Sequence, residues 1–174
     1  MEIKTFCCNP YCECTYVVEW GDKCLIVDPG MYTSKEENQV EAYLTEHHLV
    51  PCYILITHGH ADHTCGLEWC KTHFPDAQII NNTTDEKIAP CALLPTPGHK
   101  EDAVCFYFAE EKILFSGDTL FRESIGRTDL PGGDFSQIVR SLAMLSTLPD
   151  DTTVYPGHGM PTTIAYEKAH NPYL

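Results

Sequence analysis

The stretch Ile54-Leu55-Ile56-Thr57-His58-Gly59-His60-Ala61-Asp62-His63-Thr64 decides how the rest of this chain is read. It opens on a short apolar run, Cys52 to Ile56 after Pro51, which is the pattern of a strand buried on both faces. Four candidate ligands then follow within six positions, His58, His60, Asp62 and His63. Imidazole nitrogens and carboxylate oxygens are what zinc, iron and manganese accept. In extended chain, His58 and His60 project to the same side because side chains alternate with a period of two. Asp62 and His63 come where the chain bends toward the next helix, so they face a neighbouring point. The spacing alone points to two metal positions close together.

Three further segments carry the same punctuation. Pro95-Thr96-Pro97-Gly98-His99 and Tyr155-Pro156-Gly157-His158-Gly159 each put a histidine on a Gly/Pro turn, and Phe115-Ser116-Gly117-Asp118-Thr119 puts an acid directly after a strand-like run. Taken singly, His99 and His158 are turn residues and Asp118 is a cap or turn former. Beside the His-x-His-x-Asp-His cluster they become candidates for one metal centre, built on loops that a rigid sheet holds in place. The remaining histidines, His47, His48, His73 and His170, fall in polar helical or terminal contexts and are expected in solvent.

Composition narrows the classes. Net charge is −14, from 11 Lys and Arg against 25 Asp and Glu, which repels phosphate backbones and anionic membranes. No apolar run approaches the ~18–20 residues of a membrane helix, and no secretory leader is visible at the start. The 174 residues are read as a single domain covering positions 1–174, long enough to bury a core without disulfides. Ten cysteines without a leader point to a reducing compartment, the cytoplasm. Cys24, Cys52, Cys91 and Cys105 are read as small core residues. Cys7, Cys8, Cys12 and Cys14 are dense enough for a thiolate site but lack the paired spacing of structural zinc, so unpaired thiols are the first reading.

The periodicity gives strands at Ile3–Phe6, Thr15–Trp20, Cys24–Asp28, Cys52–Ile56, Gln78–Ile80, Cys91–Leu94, Val104–Phe108, Lys112–Phe115 and Thr153–Tyr155. It gives helices over Lys35 to His47, with Ser34 and Glu37 as a capping box, Cys65–His73, Phe135–Leu148 with Asp134 as cap, and Thr163–Ala169. In the third helix Ile138, Val139, Leu142 and Leu145 form the expected apolar side. No nucleotide-binding glycine loop is present.

In this order, Thr57-His58-x-His60-x-Asp62-His63, Pro97-Gly98-His99, Gly117-Asp118-Thr119 and Pro156-Gly157-His158 resemble the metallo-β-lactamase-fold hydrolases, and Val27-Asp28-Pro29-Gly30 matches their early strand-turn. Ser116 to Phe121, Gly126-Arg127-Thr128-Asp129 and Glu167-Lys168 to Asn171-Pro172 are similar to the short glyoxalase II-like branch, since the sequence ends at Leu174 where the long enzymes continue into a helical domain. The resemblance implies an α+β, four-layer αββα sandwich. It implies that His58, His60 and His99 hold one metal, that Asp62, His63 and His158 hold a second, and that Asp118 bridges them. Asp28 would orient a ligand histidine. Asp118 stands where β-lactamases of the family commonly have cysteine, which disfavours penicillin hydrolysis. The family's asparagine near the first hairpin appears here as Glu13, beside Cys14.

The implied cofactor is two divalent ions, zinc first, with iron or manganese as alternatives. Two such ions lower the pKa of a shared water toward ~7, making hydroxide the nucleophile. The expected substrate is a small-molecule thioester such as a hydroxyacylglutathione, because a thiolate leaves with little protonation. Asp62 is assigned a proton-shuttling role besides binding metal. No residue is assigned to the substrate; Arg122 and Arg127 are the nearest cations to greet an anion, or else form surface ion pairs. Competing readings are a persulfide dioxygenase of the same fold with one iron on His58, His99 and Asp118, a hydrolase of another ester class, and a non-catalytic metal-binding protein.

Overall fold

The computed structural model describes residues 1–85 and 89–174. Two five-stranded sheets form its centre. The first is ordered β1 (Glu2–Cys8), β2 (Glu13–Trp20), β3 (Lys23–Val27), β4 (Pro51–Leu55) and β5 (Gln78–Ile80). The second is ordered β12 (Thr162–Thr163), β11 (Thr153–Pro156), β8 (Ile113–Gly117), β7 (Val104–Phe108) and β6 (Ala92–Pro95). A small hairpin of β9 (Leu120–Phe121) and β10 (Ser124–Ile125) follows β8. The helices are α1 (Ser34–Glu46), α2 (Leu67–His73), α3 (Phe135–Leu145) and α4 (Ile164–His170).

Three apolar layers show why the sheets stack. Tyr16, Val18, Leu25, Val27 and Leu55 of the first sheet meet Phe106, Phe108 and Phe115 of the second. The alternate residues of the first sheet, Val17, Ile26 and Ile54, pack against Val40 and Leu44 of α1 and Cys70 of α2. Those of the second, Cys105, Leu114 and Val154, pack against Ile138, Leu142 and Leu145 of α3 and Ile164 of α4. The central strands of each sheet are therefore buried on both faces and are nearly continuous in hydrophobic residues, while the edge strand β1 is largely exposed. The result is the expected α+β sandwich of four layers, helix–sheet–sheet–helix. No helix among the described residues is long and apolar enough to cross a membrane.

Several local expectations shift. The capping box of α1 uses Thr33 and Glu36 rather than Ser34 and Glu37. Both pairs fit the sequence rule, but the Glu36 carboxylate also accepts from the Asn9 backbone N–H at 2.8 Å. That contact with the β1–β2 loop fixes the upstream register. α2 begins at Leu67 rather than Cys65, because residues 61–63 form a separate 3₁₀ turn and the Gly66 N–H is taken by the Pro29 carbonyl at 2.8 Å. α3 ends at Leu145, and its buried stripe is Ile138, Ser141, Leu142 and Leu145, while Val139 is 39% exposed. The phase i, i+3, i+4, i+7 places Ser141 inward, where its hydroxyl donates to the Pro97 carbonyl at 2.8 Å. Cys24 and Cys105 are buried as expected, but Cys52 and Cys91 are only partly so, and all ten cysteines are free thiols.

Candidate metal centre

Topology brings the candidate residues to one edge. β3 and β4 run parallel, and so do β8 and β11. β6 is antiparallel to β7, which is antiparallel to β8, so β6 shares the direction of β8. Asp28, the His58–His63 segment, His99, Asp118 and His158 each follow the carboxyl end of one of these strands. The two sheets are stitched at that edge by Val104 N–H to Thr57 O and Cys14 N–H to Gly157 O, each 2.8 Å, and within the second sheet Gly157 N–H donates to Gly117 O, also at 2.8 Å.

Seven side chains converge there in two clusters. In the first, His60 Nδ1 lies 3.0 Å from His58 Nε2 and 2.9 Å from His99 Nε2. In the second, Asp62 Oδ2 lies 3.8 Å from His63 Nε2 and 3.4 Å from His158 Nε2. Asp118 stands between them. Its Oδ1 is 3.3 Å from His63 Nε2, and its Oδ2 is 3.5 Å from His99 Nε2 and 3.6 Å from His158 Nε2. Within each of the sets His58–His60–His99, His58–His63–Asp118 and Asp62–His63–His158, the donor atoms lie within 4.8 Å of one another.

The imidazoles are aimed by their other nitrogens. His63 Nδ1 is paired with Asp28 Oδ2 at 2.9 Å, His99 Nδ1 with the Arg127 carbonyl at 2.8 Å, and His158 Nδ1 with the Tyr11 carbonyl at 3.1 Å. An Nδ1–H committed to an acceptor leaves Nε2 as the free lone pair, the usual support of a metal-binding histidine. Asp28 does more than the expected single contact. It also accepts from the Thr57 N–H at 2.7 Å and the Thr57 hydroxyl at 2.6 Å, which locks the start of the ligand loop.

Close approach of backbone is needed as well. A Cβ at Gly157 would fall 2.2 Å from Asp118 Oδ1 and 2.6 Å from His63 Cε1. A Cβ at Gly126 would fall 1.9 Å from the Asp118 carbonyl oxygen. The segment before Gly126 is pinned from α4: Glu167 accepts from the Glu123 N–H at 2.8 Å, and Asn171 Nδ2 donates to the Ser124 carbonyl at 3.0 Å and to Glu167 at 2.8 Å.

Burial and charge set the protonation pattern. Burial, reinforced by His63, His99 and His60, pushes His58 well below the usual imidazole range. Burial and His99 lower His60. Burial also opposes a charge on His63, but Asp28 and Asp118 outweigh it and raise His63 well above that range. His158 is raised against its burial by Asp62 and Asp118, and the hydrogen bond from His158 in turn lowers Asp62.

These residues fit divalent cations. His63 Nε2 and Asp118 Oδ1 are buried and make no well-formed hydrogen bond, facing each other as an ion pair at 3.3 Å, and such polar atoms are better satisfied by a ligand. Three imidazole nitrogens converging within hydrogen-bond distance have the same explanation. No such cluster forms at Cys7, Cys8, Cys12 and Cys14 among the described residues; Cys8 and Cys14 are buried while Cys7 and Cys12 are exposed.

Sequence reading missed the carbonyls of Tyr11 and Arg127, because a backbone acceptor leaves no side-chain signature. It also missed Asn9, whose Nδ2 donates to the carbonyls of Gly30 and Asp62 at 3.0 and 2.9 Å. Arg122 stacks on the Tyr166 ring at 4.3 Å, and Arg127 holds Asp129 through two bonds of 2.7 and 2.8 Å. His47, His73 and His170 are exposed, each stacked on the aromatic ring four residues earlier.

Such an edge, with imidazoles and carboxylates clustered for divalent cations between two sheets, defines a metal-dependent protein of the sandwich class. The chain matches the metallo-beta-lactamase superfamily over residues 14–94 and 92–158 and belongs to it. It is 33% identical to a probable metallo-hydrolase, YqgX, of Bacillus subtilis over 91% of this chain and 90% of that protein. It is 36% identical to a hydroxyacylglutathione hydrolase of Francisella philomiragia, over 60% of this chain and 48% of that enzyme. Among solved structures, TTHA1623 in a di-iron-bound form superposes with a TM-score of 0.89 at 31% identity, covering 100% of both chains. BLEG-1 B3 metallo-beta-lactamase gives 0.89 at 30% identity over 99% of both, and ETHE1 from Myxococcus xanthus 0.85 at 28%, over 99% of this chain and 84% of that one.

Proposed function

We propose that this protein is a cytoplasmic hydrolase with a pair of divalent ions, zinc first among the candidates, that cleaves a small-molecule thioester such as a hydroxyacylglutathione. The observation that carries the reading is Asp118. One of its oxygens faces His63 and the other faces His99 and His158, so a single carboxylate serves both clusters. His58, His60 and His99 hold one ion, Asp62, His63 and His158 the other. When bound, the ions supply an activated water and a Lewis acid for the substrate carbonyl.

The chain's own groups do the rest. Asp28, the Arg127 carbonyl and the Tyr11 carbonyl keep His63, His99 and His158 in fixed orientation, which removes reorganisation during the reaction. Asp62 lines the cleft, partly exposed, and its Oδ2 faces His158 at 3.4 Å, where it can take or hand on a proton. A thiolate needs little protonation to depart, so a cleft whose acids are committed to cations suits thioesters better than amides.

The test is metal analysis of the purified protein together with hydrolysis of S-lactoylglutathione, a small thioester panel, an oxygen ester and a β-lactam. About two ions per chain with thioester turnover is the expected result. One iron per chain with oxygen uptake on a persulfide would replace this reading with the dioxygenase one. Turnover confined to the oxygen ester or the β-lactam would move the substrate class and keep the metal site.

A further inference from the structure

The walls of the cleft say something about the part of the substrate that does not react. The cleft has a volume of about 490 Å³, and beside the metal-facing groups it is lined by Tyr11, Ala61, Arg127 and Leu130. A neighbouring hollow of about 270 Å³ shares Tyr11, Ala61 and Asp62 with it and adds Pro10, Tyr32 and Cys65. Tyr11 is 74% exposed and Tyr32 66%, so two aromatic rings stand in solvent beside the site. The Tyr11 backbone is not free to leave, because its carbonyl holds His158 and Asn9 ties the same loop to Asp62. The ring is thus an exposed aromatic surface on a fixed mount.

Cations are scarce on these walls. Among the described residues Arg127 is the only lysine or arginine lining either hollow, and both oxygens of Asp129 occupy its guanidinium at 2.7 and 2.8 Å. The pair is neutral as a unit, and a substrate carboxylate approaching Arg127 meets Asp129 as well. The other cations of the surrounding loops are also engaged: Lys100 donates to Asp102 at 2.8 Å and Arg122 lies on Tyr166. A net charge of −14 adds a general repulsion of anions. Exposed tyrosines, a proline and a leucine instead offer area for planar or apolar groups, with phenol hydroxyls as polar handles.

We infer that, beyond the thioester itself, the cleft selects an uncharged aromatic or apolar substrate, with the Tyr11 ring as its specificity-determining contact. This rests on the thioesterase reading above and narrows it, setting an uncharged thiol carrier in place of the glutathione named there as an example. The experiment crosses two acyl groups, lactoyl and benzoyl, with two thiol carriers: glutathione, which bears carboxylates and an ammonium, and N-acetylcysteamine, which is uncharged. With the metal-loaded protein, S-benzoyl-N-acetylcysteamine should have a kcat/KM roughly tenfold or more above that of S-lactoylglutathione, and the neutral carrier should win for both acyl groups. Tyr11→Ala should raise KM for the benzoyl ester roughly tenfold relative to KM for the lactoyl ester, and Tyr11→Phe should restore KM. Preference for the glutathione carrier with both acyl groups, or a KM unmoved by Tyr11→Ala, overturns the inference and leaves the thioesterase reading standing. No turnover of any of the four esters overturns both.

Discussion

The half of the cleft formed by His58, His60 and His99 and the half formed by Asp62, His63 and His158 are both built mainly from histidine, yet they stand in opposite electrostatic states. In the first half imidazoles face imidazoles, and burial with mutual repulsion favours the neutral form of His58 and His60. In the second, carboxylates face imidazoles, and Asp28, Asp62 and Asp118 favour the charged form of His63 and His158 against their burial. The first half presents lone pairs directly to a cation. The second must release protons before it can bind one. Placement of the acids produces the difference: Asp28 sits behind His63, while the acceptor behind His99 is a backbone carbonyl.

The strongest way to break the comparison is to remove the residue both halves share. Asp118→Ala should cost both ions and reduce turnover by ~10³-fold or more, about 4 kcal/mol of barrier. Metal analysis and single-substrate kinetics check it, and retention of two ions would show that Asp118 is no bridge. Next come the halves taken singly. His60→Ala should abolish turnover and leave at most about one ion per chain, held by the second half. His158→Ala should leave the ion of the first half. Retained activity in His60→Ala would count against the whole scheme.

Smaller and more selective is Asp28→Asn. All three groups bound to Asp28 are donors when His63 carries Nδ1–H, so an amide must turn an NH₂ toward one of them. Metal affinity should fall by ~10–100-fold, chiefly at the second half, as read by competitive chelation. An equal loss at both halves would mean that Asp28 acts through Thr57 rather than through His63.

The smallest expected effect is on stability against pH without metal. His58 and His60 titrate lower in the folded chain than in the unfolded one, so as pH falls below about 6.5 the unfolded state takes up more protons and stability drops. His63 and His158 titrate higher when folded, so their contribution is complete below about 6.5 and is lost as pH rises through their raised values. The chelated protein should therefore melt highest near pH 6.5 and lower on both sides. His63→Ala should flatten the alkaline arm in calorimetry and leave the acid arm.

Much of this was legible in the sequence, and unevenly so. The candidate ligands stood out because His-x-His-x-Asp-His after an apolar strand has little other use, and the structure brings them together with His99, Asp118 and His158. The strands could be read because the central strands of both sheets are buried on both faces and their apolar runs are nearly continuous. Helix boundaries moved where a tertiary contact chose between two acceptable local signals. Glu36 capped α1 in place of Glu37 because Asn9 lies above it, and Ser141 took the inward place expected of Val139 because the helical phase set by Ile138, Leu142 and Leu145 turns it inward, where the Pro97 carbonyl accepts from its hydroxyl.

The sequence by itself determined most of the elements, though not the two-residue strands β9, β10 and β12, and the kinds of donor atom and their order along the chain, since local periodicity and side-chain chemistry depend on neighbours a few positions away. Only the tertiary structure decided which acid stands behind which imidazole, that the Asp118 carboxylate faces both halves, and that Tyr11 and Arg127 contribute carbonyls while the Arg127 side chain is taken up by Asp129. Those relations join residues tens of positions apart, and long-range electrostatics and hydrogen bonding exist only once the two sheets have closed on each other.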